Sequence, residues 1–165
     1  MRRILNMCLV VIVGWVTPAG AGLFSSTGPV IAIFAGQLFQ GEAEGYLDGS
    51  GTIKIHSSTQ PDITCNGKFT SSAEHGGAGN LDCNDSSSAT IKFQRLSLFS
   101  GYGTGLSGQG TMSFTYGLNA IESAPYLKLP TGKALRQNGK ILALVDVDHL
   151  IPVALPVTDD TPSAQ

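Results

Sequence analysis

The side chains of this chain that are able to do covalent or ionic chemistry are few and scattered. Three histidines, His56, His75 and His149, are the groups whose ordinary pKa suits general-base work near neutral pH. Nucleophilic catalysis needs such a base beside a serine or cysteine, with a third group to orient it. His56 falls at an outward-facing strand end, His75 in a polar glycine loop and His149 near the C-terminal tail, so the sequence gathers no two of them. No serine stands in a Gly-x-Ser-x-Gly elbow, and Gly105-Leu106-Ser107-Gly108 misses that spacing. No catalytic residue is assigned.

Paired carboxylates are a second route, to glycoside hydrolysis. Glu42, Glu44 and Asp48 cluster, and Glu42 and Glu44 share one strand face. One acid of such a pair must have its pKa raised by burial, which an exposed strand face does not supply. A third route is calcium. Gly76-Gly77-Ala78-Gly79 begins like the Gly-Gly-x-Gly-x-Asp turn of calcium-binding β-helix repeats. Leu81 stands where the aspartate is required, the motif occurs once, and Asp82 and Asp85 fall on a strand and its turn. Hard cations need about six or more converging oxygens, and these glycines do not open a helix that would cradle phosphate. No metal or cofactor is expected.

Cysteine chemistry depends on the compartment, which the N-terminus addresses. Arg2 and Arg3 make a positive start, Ile4 to Val16 is apolar apart from Asn6 and Gly14, and Pro18 precedes Ala19-Gly20-Ala21. This is the pattern of a secretory signal peptide over residues 1–21, with cleavage between Ala21 and Gly22. The apolar stretch is shorter than the ~20 residues of a spanning helix, so no membrane segment is expected after processing. Cys8 follows the bulky Met7, unlike a lipidated cysteine. Processing leaves Cys65 and Cys83, which in an oxidising compartment are expected to form a disulfide. It also takes the ten basic residues to eight against twelve acidic, a net charge of −4. Such a chain has no electrostatic reason to bind nucleic acid.

The elements that must carry these groups read as strands. Phe39-x-Gly41, Cys65-x-Gly67 and Phe99-x-Gly101 are each followed by a Gly-x-Gly pair, at Gly49/Gly51, Gly77/Gly79 and Gly108/Gly110. Each copy predicts a strand, a glycine-bearing turn and a second strand, because tight hairpin turns require positive φ. Ile53 and Ile55 alternate with Lys54 and His56; Ala89, Ile91 and Phe93 with Thr90, Lys92 and Gln94; Met112, Phe114 and Tyr116 with Ser113 and Thr115. One apolar and one polar face is the mark of an antiparallel sheet covering a core on one side. Short turns at Thr59 to Asp62 and Asn84 to Ser88 make consecutive strands neighbours. The expected fold is all-β, an antiparallel meander of about seven or eight strands curled into a small barrel or sandwich. Parity turns Cys65 and Cys83 inward, and pairing them puts the hairpin centre near Glu74, inside a loop from Ser71 to Gly77.

After Tyr116 the character shifts. Asn119-Ala120-Ile121-Glu122 has capping-box spacing, which predicts a short helical turn, and Pro125 and Pro130 keep it short. Ile141 to Val145 is a continuous apolar run expected to be a buried strand or the end of one. Residues 22–150 thus form a single β-rich domain, and 151–165 a disordered tail.

The first glycine copy is similar to a MORN repeat in Phe39, Gly41, Glu42, Gly49 and Gly51, with a shorter inner spacing at Gly45 and no aromatic residue after Glu42. More of the chain, from about Gly41 to Lys133, resembles a group of small exported bacterial proteins. The shared pattern is Gly49-x-Gly51, Cys65-x-Gly67, Gly77-x-Gly79-x-Leu81-x-Cys83-x-Asp85, Phe114-x-Tyr116-Gly117 and Tyr126-Leu127-x-Leu129-Pro130-x-Gly132-Lys133. That likeness implies export and a β fold, and no activity. The expectation is a periplasmic or secreted, non-enzymatic binding or structural module with an envelope protein or glycan as partner. The alternative is a small hydrolase.

Overall fold

The computed structural model describes residues 25–72, 74–139 and 141–150. The expected leader, its cleavage point at Ala21 and Gly22, and the expected tail from residue 151 lie outside the described residues. Eight antiparallel strands form a closed barrel in chain order. They are β1 (Ser25–Phe34), β2 (Gln37–Tyr46), β3 (Ser50–Ser57), β4 (Thr64–Ser72), β5 (Gly76–Cys83), β6 (Ser88–Arg95), β7 (Gly101–Ser107) and β8 (Gly110–Tyr116). Closure is made by five pairs between β1 and β8, from Val30 opposite Tyr116 to Phe34 opposite Met112. The barrel, rather than the sandwich, follows. The N-terminal half of β1 pairs with β2 alone, and the β8 ladder stops at Pro29, which has no N–H to donate.

The alternating residues meet inside the barrel as one apolar cluster running from Val30, Ala32 and Phe34 round to Met112 and Phe114. Many of the remaining inward positions are glycines, and large rings lie over several of them. A Cβ on Gly51 would stand 2.1 Å from Phe69 Cζ, and one on Gly103 would stand 2.6 Å from Phe114 Cζ. The Gly-x-Gly pairs therefore have different jobs. Gly49, with φ of +84°, and Gly110, with φ of +134°, serve the turns. Gly77 and Gly79 instead lie within β5. The expected long loop from Ser71 to Gly77 is correspondingly short, because β4 runs to Ser72 and β5 starts at Gly76.

Cys65 is opposite Cys83 in the β4–β5 register and the two form a disulfide. The bridge sits at the end of the barrel that carries the turns at residues 35–36, 58–63, 84–87 and 108–109. We call this the closed end.

The one-polar-face rule fails at the seam. Val30 to Phe34 are all buried, as are Ser113 and Thr115. The cause is a C-terminal cover made of a helical turn, α1 (Ala120–Ser123), a 3-10 turn (Ala124–Tyr126) and a hairpin of β9 (Lys133–Asn138) and β10 (Ile141–Asp146). Its Ala120, Leu127 and Leu142 pack on the outward-facing Ile31, Ile33 and Leu38 as a second apolar cluster. The buried hydroxyls are satisfied in the cover: Thr115 Oγ1 bonds Ser123 Oγ at 2.8 Å, and Ser113 Oγ accepts from the Lys128 N–H at 2.8 Å. The capping box is formed as its spacing predicts, with Asn119 Oδ1 accepting from the Ile121 and Glu122 N–H groups. The run from Ile141 to Val145 is a strand, but one face stays out, since Leu142 is buried and Ile141 is 72% exposed.

Candidate functional site

At the end opposite the disulfide the barrel is not filled. The start of β1 at Ser25 and Ser26, the β2–β3 turn and the β6–β7 loop of residues 96–100 surround a cavity of about 580 Å³. That volume lies within the range of about 300–1,000 Å³ typical of small-molecule sites. Its walls are mostly apolar, with Val30, Ile53, Phe69, Phe93 and Phe114 among the lining residues. The room comes from small inward residues on the upper strands. Ala43, Gly45 and Gly28 line the space, and the nearest heavy atom to a Cβ on Gly45 would be Phe69 Cζ at 3.9 Å. The floor is a chain of edge-to-face rings, Phe69 to Phe93 at 5.5 Å and Phe93 to Tyr116 at 5.6 Å. Such contacts lock aromatic side chains in place. Below them the barrel is packed.

Among the described residues, one cation reaches the cavity wall. Arg95 ends the inward series Ala89, Ile91, Phe93 on β6. It is half-buried and donates from Nη2 to Ser71 Oγ at 2.7 Å. Ser71 in turn donates to the Gly49 carbonyl at 3.2 Å, tying β4 to the β2–β3 turn. Among the described residues no carboxylate lies within ion-pair distance of Arg95. Across the sheet, Arg95 is opposite Gly101 and Gly101 opposite Tyr116. A Cβ on Gly101 would be 2.5 Å from the Tyr116 hydroxyl oxygen, so the glycine is what admits that ring. Burial pushes the Tyr116 hydroxyl pKa up, and the positive charge of Arg95 works against that shift. The mouth also carries exposed apolar side chains: Leu47 is 81%, Leu98 68% and Phe99 61% exposed.

The groups singled out from sequence lie elsewhere. His75 is solvent-exposed on the β4–β5 turn, 3.7 Å from Glu74, and does not line the cavity. His56 and Glu42 project from the outer wall. Glu42 is opposite Lys54 rather than a second acid, and Glu44 is opposite Thr52. Glu42, Lys54 and His56 do share a shallow outer groove against the C-terminal cover, beside Gln137. Among the described residues no three of His, Cys, Asp or Glu converge. Asp48, at the mouth, is committed to its own turn: it accepts from the Ser50 N–H and Oγ, and the hydroxyl bond first, then the N–H, holds its carboxyl below the usual range. The sequence reading missed Arg95, Ser71 and Tyr116. The signal was present, since Arg95 continues the parity of Ala89, Ile91 and Phe93 and so had to point inward.

Comparison with protein-family models, with curated proteins and with solved structures returned no match.

Proposed function

We propose that this chain is an exported, non-enzymatic carrier that holds one small apolar molecule in the open end of its barrel. The observation that carries the reading is the 580 Å³ apolar cavity, open to solvent, inside a barrel whose other end is stapled by Cys65–Cys83. Eight strands give an interior wide enough either to be filled by side chains or to hold one small ligand. Here the two outcomes occupy opposite ends. Export is supported by the leader pattern and by the disulfide, a bond that persists in oxidising compartments. No described helix is long and apolar enough to cross a membrane. The polarity of the walls is the reverse of an outer-membrane barrel: Lys54, Lys68, Asn80, Lys92 and Gln94 are exposed on the outside, where lipid demands an apolar band. A hydrolase would need a base at the cavity; its described walls carry no histidine, and their carboxylate, Asp48, is engaged by Ser50 in its own turn. The described outer faces offer an envelope protein or glycan a polar surface, whereas the deep apolar cavity can select a ligand by shape.

The test is a fluorescence titration with the neutral probe N-phenyl-1-naphthylamine. The processed protein should bind one equivalent with a blue-shifted emission. Gly45→Phe, which directs a ring into the cavity against Phe69, should abolish the signal while leaving the far-ultraviolet spectrum unchanged. A folded wild-type protein that gives no saturable signal refutes the carrier reading.

A further inference from the structure

We infer that the cavity's ligand is an amphiphilic carboxylate, with its apolar tail on the ring floor and its head on Arg95. This rests on the carrier reading and adds the ligand's chemical class.

A guanidinium carries five N–H donors in a planar fork. Arg95 uses one of them on Ser71, and no acid neutralises it among the described residues. A cation half-removed from water in an apolar vault is costly unless paired, and the matching partner for a planar fork is a carboxylate, held bidentately. Tyr116 adds a hydroxyl within the influence of that charge, and among the described residues its hydroxyl has no hydrogen-bond partner. A phosphate monoester, with its greater charge, fits less well. Among the described residues the cavity wall supplies a single cation, and Asp48 lies at the same rim. The tail must be of medium length. Along β1 the lining runs from Ser25 down to Val30, about 17 Å of extended strand, or roughly 12 Å of depth once the tilt of barrel strands is included. The exposed Leu47, Leu98 and Phe99 at the entrance give the tail an apolar path inward.

The experiment displaces N-phenyl-1-naphthylamine with decanoate and with decanol, a pair that differs only in the head group. Wild type should bind decanoate more tightly by about tenfold or more, the value of a charge-assisted hydrogen bond, and the advantage should shrink as salt is raised. Arg95→Gln should level the two ligands while leaving the neutral probe's affinity within about twofold. Equal affinities in wild type would overturn the inference, and so would a decanoate preference that survives Arg95→Gln. In both cases the probe still binds and the carrier reading stands. Retained binding of the neutral probe reports that the variant is folded, and equal affinities in wild type overturn the inference without any variant.

Discussion

The two ends of the barrel are built from the same strands and the same alternation, yet one is solid and the other hollow. At the closed end the inward positions hold Phe34, Phe39, Ile55, Cys65, Leu81 and Met112, all buried. At the open end the corresponding rows hold Gly28, Ala43, Gly45 and Gly101 between the rings of Phe69, Phe93 and Tyr116. The difference teaches that barrel closure alone does not fix whether an interior is core or container. A few inward side chains decide it, and a glycine facing a ring has a different consequence from a glycine facing empty space.

This contrast can be broken most forcefully at the closed end. Leu81 is fully buried, so Leu81→Ala should lower unfolding free energy by about 2–5 kcal/mol, read by urea denaturation. Gly45→Phe, at the open end, should cost far less. If the two cost the same, the open end is as tightly packed as the closed one. Next in size is the disulfide. It spans a sequence separation of 18 residues and in the chain-entropy model stabilises by about 3 kcal/mol. Cys65→Ala should therefore lower the melting temperature by several degrees. Probe affinity should be nearly unaffected in the protein that remains folded, since the bridge is at the far end. A smaller gain is expected at the β1–β2 turn, where Ala35 has φ of +48° ahead of Gly36 at +78°. Asparagine tolerates this left-handed geometry better than alanine, and Ala35→Asn should stabilise by up to about 1 kcal/mol.

The smallest effect ought to be the same at both ends. Asp48 at the mouth and Asp85 at the closed end each accept from the N–H and hydroxyl of the serine two residues on, at 2.9 and 2.6 Å. Both carboxyls are held below 3.8 by those bonds, the hydroxyl's contribution being the larger. A depressed folded pKa gives stability that is present above the unfolded value and lost as pH falls through the folded one. The slight loss should therefore begin only below about pH 4. Carbon-detected NMR titration should show Ser50→Ala raising Asp48 alone and Ser87→Ala raising Asp85 alone, each part of the way, since the N–H bonds remain. Coupled movement of the two carboxyls would mean that the ends communicate.

Much of this architecture was legible from alternation. Ile53 and Ile55 against Lys54 and His56 fixed a face, and the shared inward parity of Cys65 and Cys83 fixed a register. What escaped was non-local. The pairing of Val30 with Tyr116 joins residues far apart in the chain, and no local pattern announces that a meander closes on itself. The burial of Ser113 and Thr115 depends on a cover supplied by later residues. The unbroken apolar run Val30 to Phe34 was nonetheless a sign of a strand covered on both faces. The cavity escaped for a related reason: it exists because small residues of several strands meet at one height, and only the assembled register shows that. Arg95 was legible in principle, as a charge occupying the last inward slot of an apolar series.

Closure also limits where this molecule can adhere to itself. A sheet joined end to end offers no unpaired backbone row to a neighbour, and strand addition or fibril growth has nothing to template on there. Among the described residues the exceptions are the start of β1, Ser25 to Gly28, which pairs with β2 alone, and the appended two-stranded sheet. Its flanks are short and carry Lys133, ion-paired with Asp146 at 2.8 Å, and Arg136. Under stress, self-association should begin at these two open edges.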